Sequence, residues 1–174
     1  MSPAARRFTA LSLAAVAAGL LAGACGRASE EGRIRKLIER AASLAEKRDI
    51  DGLAGLFAAD YRDFEGRDRD GAVRLVAGYL DRCRGVVVHV LGVRPEEVAD
   101  GRAEVGCEVA LSHGAAEALR KLVRVGGECY RFRLDLRKDA TGEWRFAYAE
   151  WESVGPADLL PDSLKVLKGL FPDR

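Results

Sequence analysis

The sequence predicts an α+β domain, with helices in its first half and an antiparallel sheet in its second. Three observations carry this. From Ile34 to Cys83, apolar residues recur three and four apart, the period of a half-buried helix. After Gly85 the period drops to two and β-branched residues become frequent. One block of helices followed by one block of strands points to helices packed on one face of a meander, because a parallel sheet would alternate strand and helix.

The elements follow in order. Ser29 is an N-cap residue, and Glu30 and Glu31 suit the positive end of a helix. Ile34, Leu37, Ile38, Ala41, Leu44 and Ala45 then mark one face of a first helix from about Glu30 to Lys47. Asp49 or Asp51 caps a short second helix bearing Leu53, Leu56 and Phe57. The stretch from Ala59 to Phe64 reads as a turn and a short extended piece, and Glu65-Gly66-Arg67 as a second turn. Asp68 or Asp70 caps a third helix, with Ala72, Val76, Tyr79, Leu80 and Cys83 on one face.

Val86 to Val93 is the first predicted strand of the meander. From Arg102 to Leu111, Val105, Cys107, Val109 and Leu111 face one way, with Glu104 and Glu108 opposite. From Glu128 to Lys138, Tyr130, Phe132, Leu134 and Leu136 oppose Cys129, Arg131, Arg133, Asp135 and Arg137. A solvated outer face with cross-strand ion pairs accounts for those charges. Asp139-Ala140-Thr141-Gly142 is a hairpin turn, and Trp144 to Glu152 is the last strand. By parity Trp144 and Trp151 fall on opposite faces, one in the core and the other at a pocket or interface. Pro161-Asp162-Ser163 starts a final helix with Leu160, Leu164, Leu167 and Phe171 on one face. It is expected to close an open end of the core; a lid or docking element is the sharper role.

The N-terminus has a different character. Arg6 and Arg7 precede an uncharged run from Phe8 to Ala24 that is too short and alanine-rich for a comfortable membrane span. The run ends Leu21-Ala22-Gly23-Ala24-Cys25, which resembles the lipobox of bacterial lipoproteins. That resemblance implies a signal peptide over 1–24, a diacylglyceryl thioether on Cys25 and cleavage before it. Two or more acyl chains anchor a protein stably where one does not. Ala22 and Ala24 also fit an ordinary secretory cleavage site, which would release a soluble protein, and an uncleaved anchor is the third reading. The position of Cys25 at the very end of the apolar run favours the lipoprotein. Gly26 after the cysteine implies, by the same resemblance, release to the outer membrane facing the periplasm.

Residues 25–29 would then be a short tether, 30–155 the domain and 156–174 a C-terminal helical segment. Charge is balanced, with 28 Lys and Arg against 27 Asp and Glu. Nucleic-acid binding needs a basic face, and these totals give none. Cys83, Cys107 and Cys129 match no zinc spacing. An oxidising compartment permits a disulfide, but their odd number leaves at least one unpaired within the chain; buried thiols acting as small apolar groups are the simpler reading.

The stretch from Ile34 to about Trp151 resembles the nuclear-transport-factor-two-like superfamily, which includes ketosteroid-isomerase-like proteins. The resemblance rests on the opening helix, on "EKRDIDGLAGLFAADYRDFEGRDRDGAVRLVAGYL", on four strands, and on the closing "RFRLDLRKDATGEWRFAYAEW". It implies a strongly curved antiparallel sheet wrapped around helices, a cone with a pocket at its wide end, and homodimers through the outer sheet face. Fold alone transfers no function.

Enzymes of that family hold a carboxylate base and an oxyanion-stabilising tyrosine or acid in the pocket. Tyr61, Asp63, Tyr79, His89, Tyr130 and Trp151 are the candidate pocket residues, but the family's catalytic set has no residue-by-residue match, so no catalytic residue is assigned. Asp60, Asp63, Asp68 and Asp70 sit where carboxylates cap turns and helix starts. His89 lies mid-strand and His113 in a loop; two distant histidines make a histidine metal site improbable, and no metal or cofactor is expected. The expected function is a lipid-anchored envelope binding or interaction module without catalysis, held to the membrane through Cys25 and taking a small apolar ligand or a protein partner. The alternatives are an isomerase or dehydratase-type enzyme using the cone pocket, and a structural subunit of an envelope complex.

Overall fold

The computed structural model describes residues 29–83, 85–112 and 128–170. The signal, Cys25 with most of its tether, His113 and Phe171 lie outside them. Helix α1 spans residues 29–46. It is followed by α2 (Ile50–Ala54), β1 (Phe57–Asp63), α3 (Arg69–Arg82), β2 (Val87–Ala99), β3 (Arg102–Ser112), β4 (Glu128–Lys138), β5 (Trp144–Val154) and α4 (Pro161–Leu170). Asp49 caps α2 by accepting from the Gly52 N–H at 2.8 Å, and Asp68 caps α3 through the Gly71 N–H at 2.9 Å. Each satisfies an amide that the first helical turn leaves unpaired. No helix among the described residues is long and apolar enough to cross a membrane.

The sheet has the order β1-β5-β4-β3-β2. β2 to β5 form the antiparallel meander, and the hairpin closes as expected, with Gly142 at φ 81° and its N–H bonded to the Asp139 carbonyl at 2.9 Å. The segment read as a turn and short extended piece is instead a fifth strand: β1 runs parallel to β5, making the sheet mixed. Its buried residues, Ala58, Tyr61 and Asp63, do not strictly alternate, because the β1–β5 register shifts between Phe57 and Arg62.

Further register shifts interrupt the β2–β3 and β4–β5 pairings. Such bulges bend a strand and reverse its parity. The last one corrects the expectation for the tryptophans. Leu136 pairs with Phe146 and Asp135 with Tyr148, so Ala147 is an extra residue. Trp144 and Trp151 therefore share the inner face, the first buried in the core and the second half-buried against it.

α1 lays Ile34, Leu37 and Ile38 on the inner face of the sheet. Burying each such side chain contributes about 1.5–3 kcal/mol. At its start, Glu30 accepts from Trp144 Nε1 and from Lys138 Nζ, both at 2.9 Å, fixing the helix to the β4–β5 hairpin. α4 does not close an open end of this core. It packs on the opposite face, where Leu159 and Leu167 cover Leu91, Ala110 and Cys129. Gly92 lets it approach: a Cβ there would lie 2.7 Å from Ser163 Oγ.

Candidate functional site

Between the helices and the inner face of the sheet lies a cavity of about 390 Å³. Its origin is visible in α1, whose inward positions change from Ile34, Leu37 and Ile38 to Ala41, Ala42 and Ala45 along the helix. The alanines, with Ala72 on α3 and Ala149 on β5, leave volume that the sheet side chains do not fill. Val88, Val90, Val109 and Leu111 form one wall; Phe132, Phe146 and Trp151 form another. Such an apolar concavity, with few polar groups, is the usual form of a small-molecule site. Leu75 and Arg82, both exposed on α3, line it where it reaches solvent.

Four of the six residues expected at a pocket line this one: Tyr61, Tyr79, Tyr130 and Trp151. Tyr61 is 1 % exposed and packs edge-on against Phe57, with ring centroids 4.7 Å apart. Burial, reinforced by the charge of Asp63, raises its hydroxyl pKa far above the ordinary value. Trp151 lies in an aromatic row, 6.2 Å from Phe132 on the inside and 4.8 Å from exposed Phe64 on the outside.

Asp63 and His89 do not line the cavity. The buried Asp63 carboxylate ends β1 and ties its turn: Oδ1 accepts from the Glu65 and Arg67 N–H groups at 3.0 and 2.9 Å, and Oδ2 from Arg67 Nε at 2.7 Å. The same guanidinium lies 5.3 Å from the centre of the Trp151 ring, a cation–π distance. His89 stands between Val88 and Val90, which both line the cavity, so its ring is on the other side of β2. There Nε2 lies 3.1 Å from Ser112 Oγ. Burial lowers its pKa, against the opposing charge of Glu46.

Glu128 was missing from the sequence-derived set. Its Oε2 accepts from the Tyr130 hydroxyl at 2.7 Å and from the Tyr79 hydroxyl at 3.3 Å. The carboxylate is exposed, so it stands at the cavity rim with a tyrosine on either side. Burial first, then the contact with Glu128, pushes the Tyr130 pKa up to about 12; burial and the Glu128 charge raise Tyr79 as well. The Cys107 thiol also lines the cavity, and burial pushes it up to about 12, which makes it an inert thiol. No carboxylate or histidine is among the described residues lining the cavity, and no cluster of three or more metal-ligating side chains exists among the described residues.

The outer face also departs from the plain reading of a solvated sheet. Glu108 is 0 % exposed beneath α4. It accepts from Arg131 Nε at 3.0 Å and from the Leu160 N–H at 3.2 Å, and pairs with Arg94 at 3.3 Å. Burial alone would raise its pKa. The Ser163 hydroxyl beside it, Arg131, the Leu160 N–H and Arg94 outweigh burial and hold the carboxyl below the usual range. The Ser163 oxygen itself is buried and stands without a hydrogen bond at full geometry among the described residues.

No protein-family model and no curated protein sequence matches the chain. Solved structures do. A candidate scytalone dehydratase from Novosphingobium aromaticivorans is similar over 74 % of this chain and 87 % of its own, at 18 % identity and a TM-score of 0.61. A nuclear-transport-factor-two-like protein of unknown function from Pseudomonas putida is similar over 77 % of this chain and 98 % of its own, at 18 % identity and a TM-score of 0.61. A protein with a cystatin-like fold from Nostoc punctiforme gives 74 % and 92 %, 19 % identity and a TM-score of 0.56. Identities this low carry architecture and not activity. The α+β cone with its curved sheet is that of the nuclear-transport-factor-two-like, cystatin-like fold, and this chain ends in the short helix α4.

Proposed function

We propose that this chain is a lipid-anchored cell-envelope protein whose domain binds a small apolar molecule without transforming it. The observation that supports binding is the cavity of about 390 Å³ with its aliphatic and aromatic lining. Its ionisable groups argue against proton-transfer catalysis. A general base works best with a pKa near the operating pH. Here Tyr61 is raised far above it, and Tyr130 and Cys107 stand at about 12. The anchor rests on the lipobox-like run ending at Cys25.

Two measurements test the two halves. Naphthalene should bind the full chain in phosphatidylcholine nanodiscs above the empty-disc blank. Ala41→Phe, which fills the cavity from α1, should weaken that binding at least about tenfold, the effect of about 1.4 kcal/mol. Equal binding by the filled variant would place the ligand elsewhere and defeat the cavity reading. Mass spectrometry of the mature N-terminus should find diacylglycerol on Cys25; an unmodified Cys25 would defeat the anchor. A dehydratase-type reaction is the second reading, favoured by the similarity to the candidate scytalone dehydratase. Glu128 at the rim would then serve as the base, and turnover abolished by Glu128→Gln would put that reading first.

A further inference from the structure

The cavity and its rim differ in chemistry. Within, the side chains offer almost nothing to hydrogen-bond. At the rim, two hydroxyls from different elements, Tyr79 on α3 and Tyr130 on β4, converge on one oxygen of Glu128. Tyr130 spends its proton on that contact, and Tyr79, 3.3 Å from the same oxygen, also engages the Cys83 side chain. What Tyr130 and the carboxylate leave is acceptor capacity: the lone pairs of the Tyr130 hydroxyl, and Glu128 Oε1, which accepts no hydrogen bond among the described residues. An exposed carboxylate needs no such partners for its own stability, because water solvates it. The tyrosines instead hold it at the edge of an apolar space.

We propose that the cavity takes an amphipathic small molecule whose polar end is a hydrogen-bond donor, an amine or a hydroxyl, seated on Glu128 between Tyr79 and Tyr130. This rests on the apolar-binding reading above and adds the polarity of the ligand. The apolar body would occupy the space beside Ala41, Val109 and Trp151. A carboxylate-ended ligand would meet the charge of Glu128 and a Tyr130 hydroxyl whose proton is already given to Glu128. Arg82 also lines the cavity and is exposed like Glu128, so solvent screens both charges.

The test uses four probes of one shape: naphthalene, naphthylethylamine, naphthylethanol and naphthylacetate. Each is titrated into the full chain in phosphatidylcholine nanodiscs, with empty discs as the blank. The amine and the alcohol should bind more tightly than naphthylacetate, the amine by about tenfold, as expected for a charge-assisted contact at a partly exposed site. Glu128→Gln should abolish the preference of the amine over the alcohol, with the affinities of both read relative to naphthalene in the same variant. Tyr130→Phe, which keeps the ring, should weaken the alcohol about threefold more than it weakens naphthalene. Naphthylacetate bound more tightly than the amine would put the polar end on Arg82 and overturn the proposal. Naphthalene bound with no preference for donors would overturn this inference and leave the binding reading standing. A preference that survives Glu128→Gln would also overturn it, since the polar end would then sit elsewhere. Failure of all four probes, naphthalene included, would overturn both.

Discussion

Glu108 and Glu128 are carboxylates on opposite faces of one sheet, and they are held in opposite ways. Glu108, on the outer face, is fully enclosed and engaged by two arginines and a backbone N–H. Glu128, at the rim of the inner face, is exposed and, among the described residues, engaged on one oxygen only. A buried charge is tolerated only when its hydrogen-bonding capacity is filled. A filled carboxylate has nothing left for a ligand, whereas an open one beside a cavity does. The difference separates a group that fastens α4 to the sheet from a group that faces the solvent end of an apolar space. It follows that the two should fail differently when altered.

The largest expected effect is on stability, at Glu108. Glu108→Ala removes the acceptor of Arg131 Nε, the ion partner of Arg94 and the acceptor of the Leu160 N–H, while Arg131 keeps Glu152 and the Asp158 carbonyl. Breaking a buried ion pair costs about 3–5 kcal/mol; because both guanidinium groups reach solvent, about 2–3 kcal/mol is expected here. Urea unfolding would measure it, and faster proteolysis within Pro161–Leu170 would show α4 released from the sheet. Glu128→Gln should change neither. The pH dependence has a defined sign. The folded pKa of Glu108 is lowered from an ordinary 4.5, so its contribution is present above that value and lost as pH falls through the folded pKa. Glu108→Gln should therefore flatten the acid limb of the stability curve below about pH 4.5. An unchanged limb would mean that other groups set it.

A matched pair on β3 sharpens the contrast between filled and open regions of the inner face. Val105 and Val109 share strand, face and side chain, and both are buried. Only Val109 lines the cavity. Val105→Ala removes contacts on all sides and should cost about 2 kcal/mol, whereas Val109→Ala enlarges an existing space and should cost about 1 kcal/mol. Chemical denaturation of both variants would decide. Equal losses would mean that the wall at Val109 is as tightly packed as the core at Val105.

What the sequence revealed and what it hid divide along the same line, between local and tertiary causes. The caps at Asp49 and Asp68 and the hairpin at Asp139–Gly142 depend on residues a few positions apart, so their chemistry was legible. Strand β1 was not, since it is parallel to β5 and its partner lies far along the chain. The two tryptophans went astray because one extra residue, Ala147, inverts parity, and nothing in the local pattern marks a bulge. Glu128 did carry a signal: it lies two residues before Tyr130, so both point to one face of β4. The second tyrosine comes from α3, and only packing brings the three together. The cavity was half-visible too. The run of alanines in α1 keeps the helical period while withholding volume, a pattern that reads as core until the opposite wall is known.

The smallest predicted effect asks whether filling a carboxylate matters apart from burying it. Asp139, at the hairpin tip, has neither the enclosure of Glu108 nor the open oxygen of Glu128. Its Oδ1 accepts from the Thr141 N–H at 2.8 Å, the Thr141 hydroxyl at 2.6 Å and the Glu143 N–H at 3.1 Å; Oδ2 accepts from Arg145 Nε at 2.9 Å. Led by the Thr141 hydroxyl, with the two N–H groups and Arg145 adding to it and together outweighing desolvation, these contacts lower its pKa from 3.8 to about 2. Being depressed, the group stabilises the hairpin above about pH 3.8 and loses that contribution as pH falls toward 2. A side-chain carboxyl titration by NMR should find the low midpoint, and Thr141→Ala should move it back toward 3.8 with little change in overall stability. If the midpoint already lies near 3.8 in the unaltered protein, full coordination at a solvated tip does not by itself hold a carboxylate ionised, and the low pKa of Glu108 would then owe more to its arginines than to the number of its partners.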